Sequence, residues 1–277
     1  MSMTVANSAR RNARRVATSG PLETLFRIGF IGYGLLHLAV AWLAIQLVLG
    51  RQAGESDQAG AFRTLAHQPF GRFLLIVVVV GLAAMALWQL LLAAVGHYDK
   101  TGMSRTAERV ASLGRTVVYA ALAWTAYRVV SGVPTSSAQQ SQSATAGVMA
   151  HPFGQFLVFL GGLAMLALGV GLVVYGAKRK FEERLMTFRM NHGTRQAARR
   201  LGQAGYIAKG IAFGIVGLLL ADAAVTHNPA KSRGLDAALR TLIAQPFGKL
   251  LLFLVAIGFA AFGIYCFLQA RYRKVTK

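Results

Sequence analysis

The residues able to do chemistry are few and scattered. The 277-residue chain holds nine Asp plus Glu, six His and one Cys, and catalysis or metal binding needs several such groups to converge. Glu55 and Asp57 fall in one loop between apolar runs, and Asp99, Glu108, Glu182 and Glu183 in others. None stands at a metal-ligand spacing from a histidine. His67, His151 and His227 fall at the same end of their respective runs, so converging loops would bring three imidazoles together. Two of them, however, flank a proline that opens a helix, where ordinary polar interface residues are common. No P-loop, dinucleotide fingerprint or H-E-x-x-H motif occurs. The expectation is no catalytic residue, no cofactor and no metal.

The elements that would have to position such groups are unlike those of a water-soluble enzyme. Hydrophobic residues make up 55% of the chain and charged residues 14%, against roughly 25% charged in an average soluble domain. The apolar residues form six long runs, at about 28-49, 71-96, 110-131, 154-177, 205-226 and 248-270, near the ~20 residues a helix needs to cross hydrocarbon. A spanning strand would alternate polar with apolar, which Leu74 to Leu87 does not. The expected fold class is all-α, a polytopic membrane protein of six transmembrane helices. Cys266 lies in the sixth run, so no intrachain disulfide can form.

Charge orients the helices. Of a net +21, the cations concentrate on alternate loops. One side holds Arg10, Arg11, Arg14, Arg15 and Arg27, then Lys100, Arg105 and Arg109, then the run from Lys178 to Arg200, and finally Arg271, Arg273, Lys274 and Lys277. The other has Arg51, Arg63 and Arg72 in its first loop, no charged residue between Ser131 and Phe153, and Lys231, Arg233, Arg240 and Lys249 in its last. The positive-inside rule places both termini in the cytoplasm. Residues 1-26 read as a basic cytoplasmic arm, with a mitochondrial presequence as the alternative. Within the basic loop 178-202, Phe181, Leu185 and Phe188 recur at helical spacing, the pattern of an interfacial helix. Its expected partner is anionic lipid at the cytoplasmic face of the bilayer, with no nucleic acid expected.

The most specific signal is repetition. Gln68-Pro69-Phe70-Gly71, His151-Pro152-Phe153-Gly154 and Gln245-Pro246-Phe247-Gly248 each precede an even-numbered run, and Arg-Thr-Leu precedes the first and third, at Arg63 and Arg240. Proline in a first helical turn loses no hydrogen bond, so the motif predicts a helix entry, with the following Phe packed into the interface. The short segments before it, such as 60-68 and 235-245, have helical character. The odd-numbered runs also align in one register. Gly32, Gly114 and Ala208 coincide, as do Tyr33, Arg115 and Lys209, then His37, Tyr119 and Phe213, then Trp42, Trp124 and Leu218, and last Gln46, Arg128 and Asp222. The chain therefore divides into three tandem two-helix repeats, 27-98, 109-177 and 203-271. A pseudo-threefold bundle is the simplest closed arrangement and linear packing of hairpins the alternative. The Gln46, Arg128 and Asp222 layer is the candidate intramembrane polar site, either ion-paired on the axis or reaching outward. At 3.6 residues per turn it lies on the opposite helix face from the His37 layer, so only one of the two can face the axis.

The three-copy hairpin resembles a known family. The Leu65 to Gly71 element, its echo in Leu242 to Gly248, and the Gly205-Tyr206-Ile207-Ala208-Lys209-Gly210 helix start with Phe213 are similar to the bacterial membrane family catalogued as domain of unknown function 1206. The second copy departs most, with Ala111-Ser112 in place of Gly-Tyr and His151 in place of Gln. The resemblance implies a bacterial inner (plasma) membrane and carries no activity. Two functions follow as expectations: a structural or accessory subunit with a membrane-protein partner, or a small-molecule or ion transporter with a pathway along the repeat axis. A wide polar cavity would favour the second and a dry axis the first.

Overall fold

Long apolar segments satisfy their backbone polar groups internally only as helices, and helices are what the chain forms. The computed structural model describes residues 20–51, 54–95 and 102–274. Arg10, Arg11, Arg14, Arg15, Asp99, Lys100 and Lys277 lie outside them. The long helices are α1 (Gly20–Val48), α3 (Gly71–Val95), α4 (Gly102–Val130), α6 (Gly154–Ala177), α7 (His192–Val225) and α9 (Gly248–Tyr272). Three short ones alternate with them: α2 (Gln58–Ala66), α5 (Ser137–Met149) and α8 (Gly234–Ile243). Among the described residues five helices, α1, α3, α6, α7 and α9, are long and apolar enough to cross a membrane. α4 has 29 residues, but Arg105, Glu108, Arg109, Arg115 and Arg128 interrupt it, so its composition alone does not mark it as a span.

The long helices pack in the order α4, α3, α1, α9, α7, α6, each against the next. The first and third repeats form hairpins, α1 on α3 and α7 on α9. The middle repeat does not. Among the described residues α4 lies on α3 and α6 lies on α7, without substantial packing between α4 and α6. A closed ring is thus not formed. The reason lies in the glycines of α6. Gly162 and Gly169 sit a heptad apart on one face, and a Cβ on Gly169 would come within 2.5 Å of Gly214 N and 2.6 Å of Gly210 O. In lipid, where apolar exposure does not drive helices together, such backbone approach does. The matched small layer behaves unevenly. Gly32 lies on Val78 of α3, and Ala208 meets Gly258 of α9, whereas Gly114 has open space beside it.

The helix-entry motif has the same geometry three times. Gly71 N donates to Gln68 O at 2.8 Å, Gly154 N to His151 O at 2.9 Å, and Gly248 N to Gln245 O at 2.8 Å. Phe70, Phe153 and Phe247 have φ of 59°, 61° and 59°. Each motif is a type II turn, with proline at the position that fixed φ favours and phenylalanine where glycine is usual. The proline therefore sits in the turn before the helix rather than in its first helical turn. The phenylalanines are equivalent, but 85%, 84% and 83% exposed, so none of the described residues covers them. The glycine is obligatory for another reason. A Cβ there would lie 2.0 Å from Leu65 O, 1.8 Å from Val148 O or 2.2 Å from Ile243 O, the last carbonyls of the preceding short helix.

The short helices close one end of the bundle. The two Arg-Thr-Leu arginines each hold a carboxylate, Arg63 with Glu55 at 3.1 Å and Arg240 with Asp236 at 2.9 Å. These pairs cross-link the loops. Ser56 N donates to Asp236 Oδ1 at 2.8 Å, Arg63 to Thr135 O at 2.9 Å and Ala59 N to Ser137 Oγ at 3.2 Å, while Ser136 Oγ donates to Glu55.

Asp57 caps α2 by accepting from Gly60 N at 3.0 Å, yet its Oδ2 is buried without a partner. Burial pushes its carboxyl up to about 6, against the Gly60 bond; Glu55 and Asp236 add to the rise and Arg63 opposes it. Because the folded value exceeds the unfolded one, the folded state binds the extra proton between about pH 4 and pH 6, and stability falls as pH rises through that window. Asp57→Asn keeps the capping oxygen and removes the titration. The variant is expected to be more stable at pH 7 by up to ~3 kcal/mol and to lose the pH 4–6 slope in thermal unfolding. An unchanged slope would discard this account.

At the opposite, basic end the interfacial-helix expectation is corrected. Residues 180–189 form two 3-10 turns, Lys180–Arg184 and Thr187–Arg189. Phe181 and Leu185 turn inward, 1% and 2% exposed, onto Tyr206, Tyr265 and Phe262, and only Phe188 stays outside. The helical spacing reflected a plug for the bundle end, not a surface helix. α7 then starts at His192, so its first turns, with Arg195, Arg199 and Arg200, belong to the basic loop.

Candidate functional site

The most anomalous side chain in the interior is Lys209, 7% exposed in the middle of α7. An ammonium in hydrocarbon costs ~3 kcal/mol even on insertion scales, and it normally has a carboxylate beside it. Lys209 has none among the described residues. Its Nζ donates to Tyr33 Oη on α1 at 2.9 Å and lies 4.1 Å from the centroid of the Phe262 ring, 5.0 Å from Tyr33 and 5.8 Å from Phe213. Ring faces replace the missing anion, each desolvated cation–π contact contributing ~2 kcal/mol. His37 completes the group, with its Nδ1 2.8 Å from Tyr33 O and its ring 4.4 Å from Tyr33 and 4.7 Å from Phe262. Tyr119 of α4 meets Tyr33 edge-on at 5.7 Å.

These are members of the aligned layers. Tyr33 and Lys209 hold equivalent positions in the first and third repeats and bond to each other, and His37, Tyr119 and Phe213 form the layer one turn further on. Arg115, the third equivalent of Tyr33 and Lys209, stays outside the cage, donating to Gln89 Oε1 at 3.2 Å and Ser112 Oγ at 3.1 Å. With His37 buried against Tyr33 and Phe262, the Gln46 layer lies on the opposite helix face, as helical geometry requires. Asp222 pairs with Lys231 at 2.8 Å, and Arg128 reaches Pro134 O at 3.3 Å, both at the capped end. Gln46 is half-buried and joins neither. Arg128 and Asp222 have separate partners, so the axial ion pair is replaced by two side chains reaching outward. The sequence register contained the caged layer, but a layer with opposite charges drew attention away from one with a single lysine.

His67, His151 and His227 are exposed at the capped end, and the described residues hold no group of three His, Cys, Asp or Glu able to bind a metal. Cys266 is a free, buried thiol. Around the cage the interior is filled, by Leu36, Val78, Leu82, Leu252 and Phe259 among others. An apolar groove of about 430 Å³ lies on the flank between α3 and α4, lined by Val79, Ala83, Ala123 and Trp124 among others.

The same unit of long helix, short capping helix, type II turn and long helix thus recurs three times. The model of the family described as Domain of Unknown Function (DUF1206) matches at residues 28–96, 110–179 and 204–273. The chain belongs to the DUF1206 family. Each match begins in an odd-numbered long segment and ends at the close of the next, so every DUF1206 unit contains its own capping helix and proline turn. The chain is 32% identical over 255 residues to an uncharacterized protein of Bacillus subtilis (strain 168), YxxB, with 90% of each chain covered. No solved structure matches.

Proposed function

We propose that this DUF1206 protein is a non-enzymatic, six-span structural or accessory subunit of the bacterial inner membrane, with both termini in the cytoplasm. The observation that carries the reading is the burial of the lysine cage: Lys209 and His37 are each 7% exposed, against aliphatic and aromatic side chains of the packed core. α4 is the sixth span in this reading. Arg115 and Arg128 bracket its apolar stretch, ~20 Å apart along the helix, and both side chains reach outward to bring this near the ~30 Å hydrocarbon thickness. The three repeats then form an open pseudo-threefold bundle. α6 supports a partner role, because it exposes Phe156, Leu157, Leu160 and Leu168 while packing chiefly on α7.

A second reading, transport, is favoured by Lys209 itself, since ionisable residues inside membranes commonly serve ion or proton pathways. Two measurements test the proposal. Ser143→Cys should react with an impermeant thiol reagent added to intact cells and Gln196→Cys should not; the reverse pattern inverts the topology. A photo-crosslinker at position 168 should yield one discrete protein adduct in native membranes. Adducts to lipid alone, together with a proton flux in proteoliposomes that is lost in Lys209→Met, would replace the subunit reading by the transport reading.

A further inference from the structure

The basic end holds an arrangement that the caged lysine does not explain. Tyr175 lies near the end of α6, and its hydroxyl is buried without a hydrogen-bond partner. Three arginines from different elements gather around it. Arg184 stands over the Tyr175 ring at 5.8 Å. Arg273 lies in the segment 272–274 that pairs with 184–186: Met186 N donates to Tyr272 O at 2.7 Å and Lys274 N to Arg184 O at 3.0 Å, around a bridge between Leu185 and Arg273, while the Arg273 guanidinium donates to Gln269 Oε1 and stands over the Phe30 ring at 4.9 Å. Arg115 approaches from α4, where it donates to Gln89 Oε1 at 3.2 Å and Ser112 Oγ at 3.1 Å, and its charge lies within electrostatic reach of Arg184, Arg273 and Tyr175. Two acids share the neighbourhood, Glu108 at 3.8 Å from Arg115 and Glu183 near Tyr175. Neither ion-pairs with Arg184, whose side chain makes no hydrogen bond or ion pair among the described residues.

Like charges do not gather round an unsatisfied hydroxyl without cost, and a shared anion removes both penalties. Guanidinium forks and a phenol present donors in the geometry that phosphate oxygens accept. The way in is lateral. Arg115 sits on α4 and Tyr175 on α6, the two consecutive long helices that do not pack on each other, and both helices expose apolar side chains such as Val117, Val118, Val170 and Val174. We infer that Arg115, Arg184, Arg273 and Tyr175 form a binding site for the phosphate of an anionic phospholipid, which enters between α4 and α6 with its chains in the gap. The inference rests on the chain being membrane-embedded.

The test uses the full-length protein purified in a neutral detergent, with binding read by native mass spectrometry and by thermal shift. The probes are dioleoyl-phosphatidylglycerol, dioleoyl-phosphatidylcholine and inorganic phosphate. Phosphatidylglycerol should bind at least about tenfold tighter than phosphatidylcholine and raise the melting temperature. Arg184→Gln, which breaks no internal hydrogen bond, should weaken it about tenfold, the loss of one charge-assisted contact. Arg189→Gln, on the exposed surface of the same loop, should leave affinity unchanged. Tyr175→Phe should show opposite signs: a more stable lipid-free protein, because the orphaned hydroxyl is gone, and a smaller lipid-induced shift. Equal losses in Arg184→Gln and Arg189→Gln would reduce the site to diffuse surface attraction and overturn it. Inorganic phosphate binding without phosphatidylglycerol binding would overturn the lipid assignment. Recovery of the protein in the soluble fraction would instead defeat the membrane reading beneath it.

Discussion

Gly169→Leu is expected to detach α6 from the bundle and lower the stability of the detergent-purified protein by ~3 kcal/mol, the upper part of the usual overpacking range. The magnitude follows from what the side chain would meet. Gly214 N at 2.5 Å and Gly210 O at 2.6 Å are backbone atoms of a neighbouring helix, so no rotamer can yield and the helices must separate. Separation is costly here because α6 packs chiefly on α7 and has no substantial contact with α4. Gly171 is the control on the same helix. Nothing lies within 4 Å of a Cβ there, so Gly171→Leu should leave stability unchanged or raise it by up to ~1 kcal/mol through helix propensity. Thermal unfolding of the two variants decides the matter, and equal losses would refute the glycine-contact account.

That contrast also marks what the sequence could disclose. Local chemistry was legible. Proline before a hydrophobic run announced a helix entry three times, and Arg63 and Arg240 stood out as a repeated pair that the structure explains by their carboxylates. Aligned layers were legible too, including the one that forms the cage. Which layer faces inward was not, because Tyr33 with Lys209 and Gln46 with Asp222 are equally regular along their helices, and only the packing of α1 against α9 and α9 against α7 chooses between them. The split of the middle hairpin was hidden for a similar reason. Glycines are abundant in membrane helices, and the pairing of Gly169 with Gly210 and Gly214 depends on rotations that no single segment encodes. Phe181 and Leu185 gave the right periodicity and the wrong environment, since apolar spacing fixes a face but not whether lipid or protein covers it. The left-handed phenylalanines of the turns had no signal, because that conformation is normally reserved for glycine.

The caged lysine supplies the second large effect, a double-mutant cycle between Tyr33 and Lys209. Tyr33→Phe leaves the ammonium of Lys209 with rings and no acceptor, and should cost ~2–3 kcal/mol, the range for hydrogen bonds to charged groups. Lys209→Met should be nearly neutral. It strands the Tyr33 hydroxyl and forfeits the contact with Phe262 at 4.1 Å, but it also removes the ~3 kcal/mol burden of a charge held in hydrocarbon. With both changes made there is neither a stranded charge nor a stranded hydroxyl, and two apolar groups of similar size fill the space. The double variant should therefore be more stable than Tyr33→Phe alone and at least as stable as the parent, with a coupling of more than ~1.5 kcal/mol between the sites. Additive losses in thermal unfolding would mean that the 2.9 Å contact contributes little and that Lys209 is held by its rings alone. If the expected result is found, the lysine is a residue the fold would be steadier without, and its presence on the axis calls for a function rather than a structural reason. Flux assays on the stable double variant would then separate the two readings of the protein: a lost proton or cation flux makes Lys209 the working group of a transporter, and an unaltered zero flux with the partner adduct intact leaves it to the subunit's assembly.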